Sequence, residues 1–352
     1  MDKAKKCVSG HRKEFGLASP ASTGFRMTNT PHNNSAVGIA FIIAGMVAIS
    51  VNDMLIKQLS GGYPLHQMVF FRSGIGIMIS LVLVHAEGGV HLLKTRRPWL
   101  HVLRCLMVVV ANMSFFVALA AAPLADVTAL FFAAPLFITV LSIPFLGEKV
   151  GPMRIGAVLA GFAGVIFMQR PWEGGEVETA NRIVLMLPVL AALTYAINQI
   201  LTRKLGATTK ASALAVYMQG MFVVISLIFF LVAGDGRFAT DLNNPSLIFL
   251  LRAWEWPTSS DWPYFIGLGL CSGVIGYCLA QAYRMADAAT VAPFEYTGLP
   301  LAIFWGWMFW GEIPDAVTWM GIALIMGSGL FVFFREQQKA RQVARTEVKG
   351  RY

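Results

Sequence analysis

From residue 35 onward the chain repeats one pattern: about 20 mostly apolar residues, then a short polar break. An α-helix needs that length to cross ~30 Å of hydrocarbon. Ten such runs fall near residues 35–57, 66–86, 100–120, 123–146, 152–170, 182–202, 211–233, 262–284, 288–310 and 316–334. They predict an all-α integral membrane protein with ten transmembrane helices. Most connections are short. The exception, 234–261, contains SLIFLLRAWEWPT, which reads as a segment lying along the interface with Trp254 and Trp256 as anchors.

The flanks differ from the middle. Residues 1–34 are polar and basic and lack the apolar stretch and small-residue cleavage site of a signal peptide. They read as a disordered cytoplasmic tail, or in part as untranslated sequence if synthesis begins at Met27 rather than Met1. Residues 335–352 read as a second, basic cytoplasmic tail.

Composition agrees with a membrane location: of 352 residues 56% are hydrophobic and only 13% charged. Soluble domains carry about 25% charged residues. The net charge of +9 suggests nucleic-acid binding only until the basic residues are placed. They sit between apolar runs and at the termini, where lysine and arginine set topology. With the N-terminus inside, 22 of the 28 fall on cytoplasmic segments, among them Lys94, Arg97, Arg154, Arg203, Arg284 and Arg335. Four, Arg170, Arg182, Arg237 and Arg252, fall outside, and Lys57 and Arg72 lie within helices. Both termini are therefore expected in the cytoplasm, in a plasma membrane of the bacterial inner-membrane kind. Cys7, Cys105, Cys271 and Cys278 form no CxxC, and the six histidines show no HxxxH spacing, so neither a disulfide framework nor a zinc site is indicated.

The chain also carries an internal repeat. A shift of 146 pairs AISVNDMLIKQL (48–59) with AINQILTRKL (196–205), matching Asn52 with Asn198, Asp53 with Gln199 and Lys57 with Arg203. Further on, FLGEKVGPMRIGAVLAGFAGV (145–165) matches FWGEIPDAVTWMGIALIMGSGL (309–330), pairing Gly147-Glu148 with Gly311-Glu312 and Gly164 with Gly329, and Pro135 corresponds to Pro300. Five helices per unit is an odd number, so the second half, 182–334, is expected to be inverted relative to the first, 35–170. Inverted halves provide a physical route to alternating access, since each can adopt the other's conformation.

The ten runs, the duplication, and the segments PLADVTALFFAAPLFITVLSIPFLGE (123–148) and ATVAPFEYTGLPLAIFWGWMFWGE (289–312) resemble the drug/metabolite transporter superfamily, EamA type. The resemblance covers about residues 35–335. It implies a central cavity between the halves with the fifth and tenth helices more peripheral. It also implies a small solute such as an amino-acid derivative, S-adenosylmethionine or riboflavin.

Polar side chains inside hydrocarbon mark candidate sites, because each costs several kcal/mol without a partner or a wet cavity. Asp53, beside Asn52, suits a substrate amine or a proton, or a local bridge to Lys57 one turn on. Arg72 suits a carboxylate or phosphate, or is a snorkelling or Asp53-paired structural arginine. Asn112, Tyr195, Asn198, Tyr277 and Gln281 supply uncharged hydrogen-bonding groups that line a cavity or join helices. Glu295 is expected two turns inside the ninth helix, five residues before Pro300, poised for proton coupling or for bonds to neighbouring helices, with Tyr296 as a stacking partner. Glu148 and Glu312 read as helix-end residues holding loop backbone or a cation. Gly269–Gly273 and Gly156, Ala160, Gly164 read as close-packing rows, the latter within one subunit or in a homodimer.

A secondary transporter for a small polar solute accounts for these features together, with the lipid bilayer as its other partner. No GxxxxGK[ST] occurs, no catalytic cluster appears, and no cofactor or nucleic acid is implied. A small-solute channel is the alternative, and a membrane-embedded enzyme a weaker one.

Overall fold

A computed structural model describes residues 35–95, 97–147, 151–172, 176–205, 211–239, 244–285 and 292–349. The expected N-terminal tail, Glu148 and Lys149 lie outside the described residues, as do residues 206–210 and 286–291.

All regular structure among the described residues is helical. The first half comprises α1 (Ser35–Leu59), α2 (Leu65–Glu87), α3 (Pro98–Leu119), α4 (Leu124–Phe131), α5 (Ala134–Leu146) and α6 (Pro152–Gln169). The second comprises α7 (Glu176–Leu205), α8 (Ala211–Ala233), the short α9 (Pro245–Leu251), α10 (Trp262–Met285), a 3₁₀ turn (Ala292–Thr297), α11 (Gly298–Trp310) and α12 (Ala316–Lys349). Nine spans are long and apolar enough to cross a membrane among the described residues, with α4 and α5 together making one. Their outer faces carry Leu231, Val82, Ile183 and Leu159, all largely exposed, as a bilayer-facing surface requires.

Two prolines explain where the helices depart from the expected lengths. Pro135 sits at the start of α5, so the run 123–146 is broken at residues 132–133. Pro300 has no N–H to give residue 296, and its ring crowds that carbonyl. Within the described part of the expected helix 288–310, Ala292–Thr297 form a 3₁₀ turn, and α11 alone, with 13 residues, is too short to count as a span. Glu295 therefore lies in that turn and not two turns inside an α-helix. At the far end α12 runs on through Lys349, so the expected basic tail 335–352 continues a helix over most of its length.

The matched Gly-Glu pairs have a backbone cause. Gly147 closes α5 at φ +70° and Gly311 closes α11 at φ +67°, each in the left-handed conformation. Each N–H returns to the preceding turn, Gly147 to Ile143 O at 3.1 Å and Gly311 to Trp307 O at 3.1 Å. Only glycine adopts that cap without steric cost.

The long packing contacts run α1 along α10, α3 along α7, α2 along α8, and α6 along α12. Close approach needs small residues at the seams. Gly269 and Gly273 of α10 lie directly on Ile75 and Ile79 of α2, with no room for a Cβ. Gly164 of α6 meets Leu324 and the backbone of Gly321 on α12, whereas Gly156 has open space, so the expected small-residue row contacts its neighbour at one end only. The 234–261 connection also differs from expectation. Trp254 packs inward on His66, Phe70 and Phe230, and Trp256 alone is largely exposed at 78%. Gln67 Nε2 donates to Glu255 O at 2.5 Å and Tyr63 donates to Asp261 at 2.7 Å, binding the connection to the end of α2 and the turn before it.

Candidate functional site

Four of the candidate residues gather where α1, α2, α3 and α8 meet. Arg72 of α2 is 6% exposed, so it does not snorkel to water. Its guanidinium carbon lies 5.4 Å from the ring centroids of both Phe116 and Phe222. The two rings supply cation–π attraction in place of hydration. Nη2 donates to Asn112 Oδ1 at 3.3 Å, and Asn112 Nδ2 donates to Val108 O at 3.4 Å. Asp53 lies within electrostatic reach of Arg72 without a direct ion pair. One of its oxygens accepts from Asn52 Nδ2 at 3.0 Å. Two buried atoms here have no hydrogen-bond partner: Arg72 Nε, a donor, and Asn52 Oδ1, an acceptor. Gln219 Nε2, donating to Ser272 Oγ at 2.8 Å, links α8 to α10 near Gly76 of α2.

A second group, largely aromatic, lies between α4, α7 and the 3₁₀ turn. Tyr195 OH accepts from Gln199 at 2.7 Å, and its ring is 5.4 Å from Phe131, which is itself 5.4 Å from Phe115 of α3. Glu295 lies within electrostatic reach of Tyr195 and Tyr296. Asn198 is buried one turn along α7.

The remaining candidates are placed elsewhere. Tyr296 is buried, with its ring 5.1 Å from Phe132 and its hydroxyl pressed against Gly329 of α12. Gln281 Nε2 donates to Tyr277 OH at 3.2 Å on an exposed stretch of α10, where Tyr277 meets Phe41. Neither position joins the Arg72 group.

The local Asp53–Lys57 bridge does not form. Lys57 Nζ instead donates to both oxygens of Glu312 at 2.7 and 2.8 Å and to Ala122 O at 3.0 Å, with the Trp310 ring centroid 4.9 Å away. Glu312 also accepts from Leu124 N at 3.2 Å. Its expected role of holding loop backbone and a cation is thus what the geometry contains. Alongside, Arg170 pairs with Asp315. The backbone N–H of Thr318, with Arg170, holds the Asp315 carboxyl below the usual carboxylate range. Asp261 is likewise held low by hydrogen bonds from Tyr63 and Thr258. Three His, Cys, Asp or Glu side chains never converge in a metal-binding group among the described residues.

An apolar helical bundle with exposed apolar flanks and a charged pair, Arg72 and Asp53, in its interior is the architecture of a multi-pass membrane protein. The EamA-like transporter family model matches residues 36–170 and again 182–334, and the chain belongs to that family. Among similar proteins, a riboflavin transporter of Rhizobium johnstonii is 29% identical over 314 residues, 89% of this chain and 96% of that protein. An S-adenosylmethionine uptake transporter of Rickettsia bellii is 26% identical, covering 86% of this chain and 95% of that one. A solved crystal structure shares the fold at a TM-score of 0.56 and 18% identity, over 84% of this chain and 95% of its own.

Proposed function

We infer that this protein is a secondary transporter that carries a small polar metabolite across a bacterial inner membrane by alternating access. The observation that carries the reading is Arg72, a charge kept in the bundle interior between two aromatic rings, with Asp53 in reach and no ion pair to neutralise it. A charge buried in hydrocarbon at such cost marks a solute path. In this reading Arg72, Asp53, Asn52 and Asn112 contact the polar part of the solute. Tyr195, Asn198 and Glu295 face it from the second half, and the ring of Phe131 from the first. The names of the relatives, riboflavin and S-adenosylmethionine transporters, supply the first solutes to test.

The transport cycle would use ten spans in two inverted halves, 35–170 and 182–334, with both termini cytoplasmic. Two lines support a duplicated unit, which an odd number of spans per unit would invert. The two family matches divide the chain at the same place. The packing pairs also survive exchange of the halves, because α1 with α10 becomes α7 with α3, while α2 with α8 and α6 with α12 map onto themselves. A homodimer would use the groove of about 390 Å³ between α6 and α12, lined by Ala157, Ala160, Leu324 and Phe331.

The test is thermal stability of the purified protein against riboflavin, S-adenosylmethionine and a panel of amino acids. A ligand at ~100 times its dissociation constant stabilises by about 2.7 kcal/mol. A stabilising ligand whose effect is lost in Arg72→Met and in Asp53→Asn supports the site. A ligand whose effect survives both changes removes these residues from it.

A further inference from the structure

The Lys57–Glu312 pair does more than neutralise two charges. It joins α1, which packs against α10 and α11, to the turn between α3, which packs against α7, and α4, which packs against both α7 and α11. Contact with that turn is made entirely through main chain: Lys57 Nζ donates to Ala122 O at 3.0 Å and Glu312 Oε2 accepts from Leu124 N at 3.2 Å. The pair thus presents one donor and one acceptor to a complementary acceptor and donor two residues apart. Within its own side it is fixed by the short ion pair, by the Trp310 ring and by the left-handed cap at Gly311, which sets the direction of Glu312. Lys57 is 9% exposed and Glu312 27%, so the clasp is shielded but lies at the surface end of the bundle.

We propose that Lys57 and Glu312 are positioning residues of the transport cycle, acting as a preassembled clasp that closes one face of the transporter by gripping the backbone at residues 122–124. Opening of that face releases the two backbone hydrogen bonds, while the ion pair travels intact with α1 and α11. An ion pair in low dielectric is costly to separate, whereas each charge-assisted bond to main chain can be exchanged for a charge-assisted bond to water. The hinge plane therefore runs between Glu312 and Leu124, not between Lys57 and Glu312. The proposal rests on the alternating-access reading above, but its readout needs no substrate.

The test uses the full chain with its four native cysteines replaced and one reporter, Val127→Cys. Val127 lies one turn along α4 from the gripped backbone and is fully buried. Labelling by a membrane-impermeant maleimide is measured in right-side-out and inside-out vesicles, together with thermal stability. Glu312→Ala is expected to raise labelling about tenfold from one side only, as loss of about one hydrogen bond of closure implies. The deciding variant is the exchange Lys57→Glu with Glu312→Lys, which rebuilds the ion pair but places acceptor against acceptor and donor against donor at the backbone. Stability recovered with labelling still high supports the clasp. Labelling returned to the parent level by the exchange would show that the ion pair alone closes this face and overturn the proposal. So would unchanged labelling in Glu312→Ala. Membrane orientation decides only which vesicle preparation responds, so an error there is distinguishable from failure of the clasp.

Discussion

Replacing Arg72 by methionine separates a functional charge from a structural one. In the folded protein the guanidinium has two ring contacts at 5.4 Å and one long hydrogen bond at 3.3 Å to Asn112. Cation–π contacts contribute about 1–2 kcal/mol each when desolvated. The hydrogen bond, long for a charged donor, adds about 1.5 kcal/mol, the low end for such bonds. Against these stands the loss of guanidinium hydration, an effective penalty of several kcal/mol for a buried ion, and Asp53 is not close enough to form a direct pair. Methionine has similar length, fills the slot between Phe116 and Phe222, and gains sulfur–aromatic contacts of about 0.3–1.5 kcal/mol. The terms nearly cancel, so Arg72→Met should change folding stability by less than about 1 kcal/mol. Chemical denaturation in a defined detergent micelle measures this, with ligand binding measured on the same sample. Unchanged stability with binding lost is the expected result. A loss of more than about 3 kcal/mol, the signature of a broken structural charge, would refute the reasoning and return Arg72 to a packing role.

Other consequences follow from the geometry. Glu312→Ala leaves Lys57 with one backbone acceptor and a ring, and should cost about 2–3 kcal/mol, less than a fully buried pair because Glu312 is partly exposed. In a double-mutant cycle Lys57→Met with Glu312→Gln should lose less than the two single changes added together. Gly273→Val places a branched side chain on Ile79 at the α2–α10 seam and should cost about 1–3 kcal/mol or block folding, while Gly156→Ala, which faces open space, should be neutral in the same denaturation assay. Asp315 is held below the usual carboxylate range by Thr318 and Arg170, so its contribution is present above about pH 4 and is lost as pH falls through its lowered value. Acid denaturation of the parent and of Asp315→Asn should therefore converge at low pH and diverge above it.

The positions of the spans were legible because the bilayer imposes a length on every apolar run. Among the described residues nine of the ten expected runs appear as spans, and the run at 288–310 departs over 292–297, before Pro300, which removes a hydrogen bond that hydropathy does not register. The Gly-Glu match was visible as letters, but its cause is a left-handed cap at Gly147 and Gly311 that only backbone angles reveal. Partners were harder to read than positions. Spacing of four suggested Lys57 for Asp53, yet Lys57 binds Glu312, 255 residues away, where no local rule reaches. Tyr296 was read as a stacking partner beside Glu295; its ring lies 5.1 Å from that of Phe132 and its hydroxyl against Gly329 of the paired helix, contacts that depend on packing. Arg72 could be found from sequence as a charge in an apolar run. That Phe116 and Phe222 enclose it depended on how α3 and α8 pack.

The most direct measurement is counterflow in proteoliposomes, with labelled riboflavin or S-adenosylmethionine outside and unlabelled solute inside. Saturable uptake that is accelerated by internal solute, abolished by Arg72→Met and retained by Tyr277→Phe is the expected result. Uptake of either solute that rises linearly with concentration, shows no acceleration by internal solute, or persists unchanged in Arg72→Met would contradict an alternating-access carrier built around that charge.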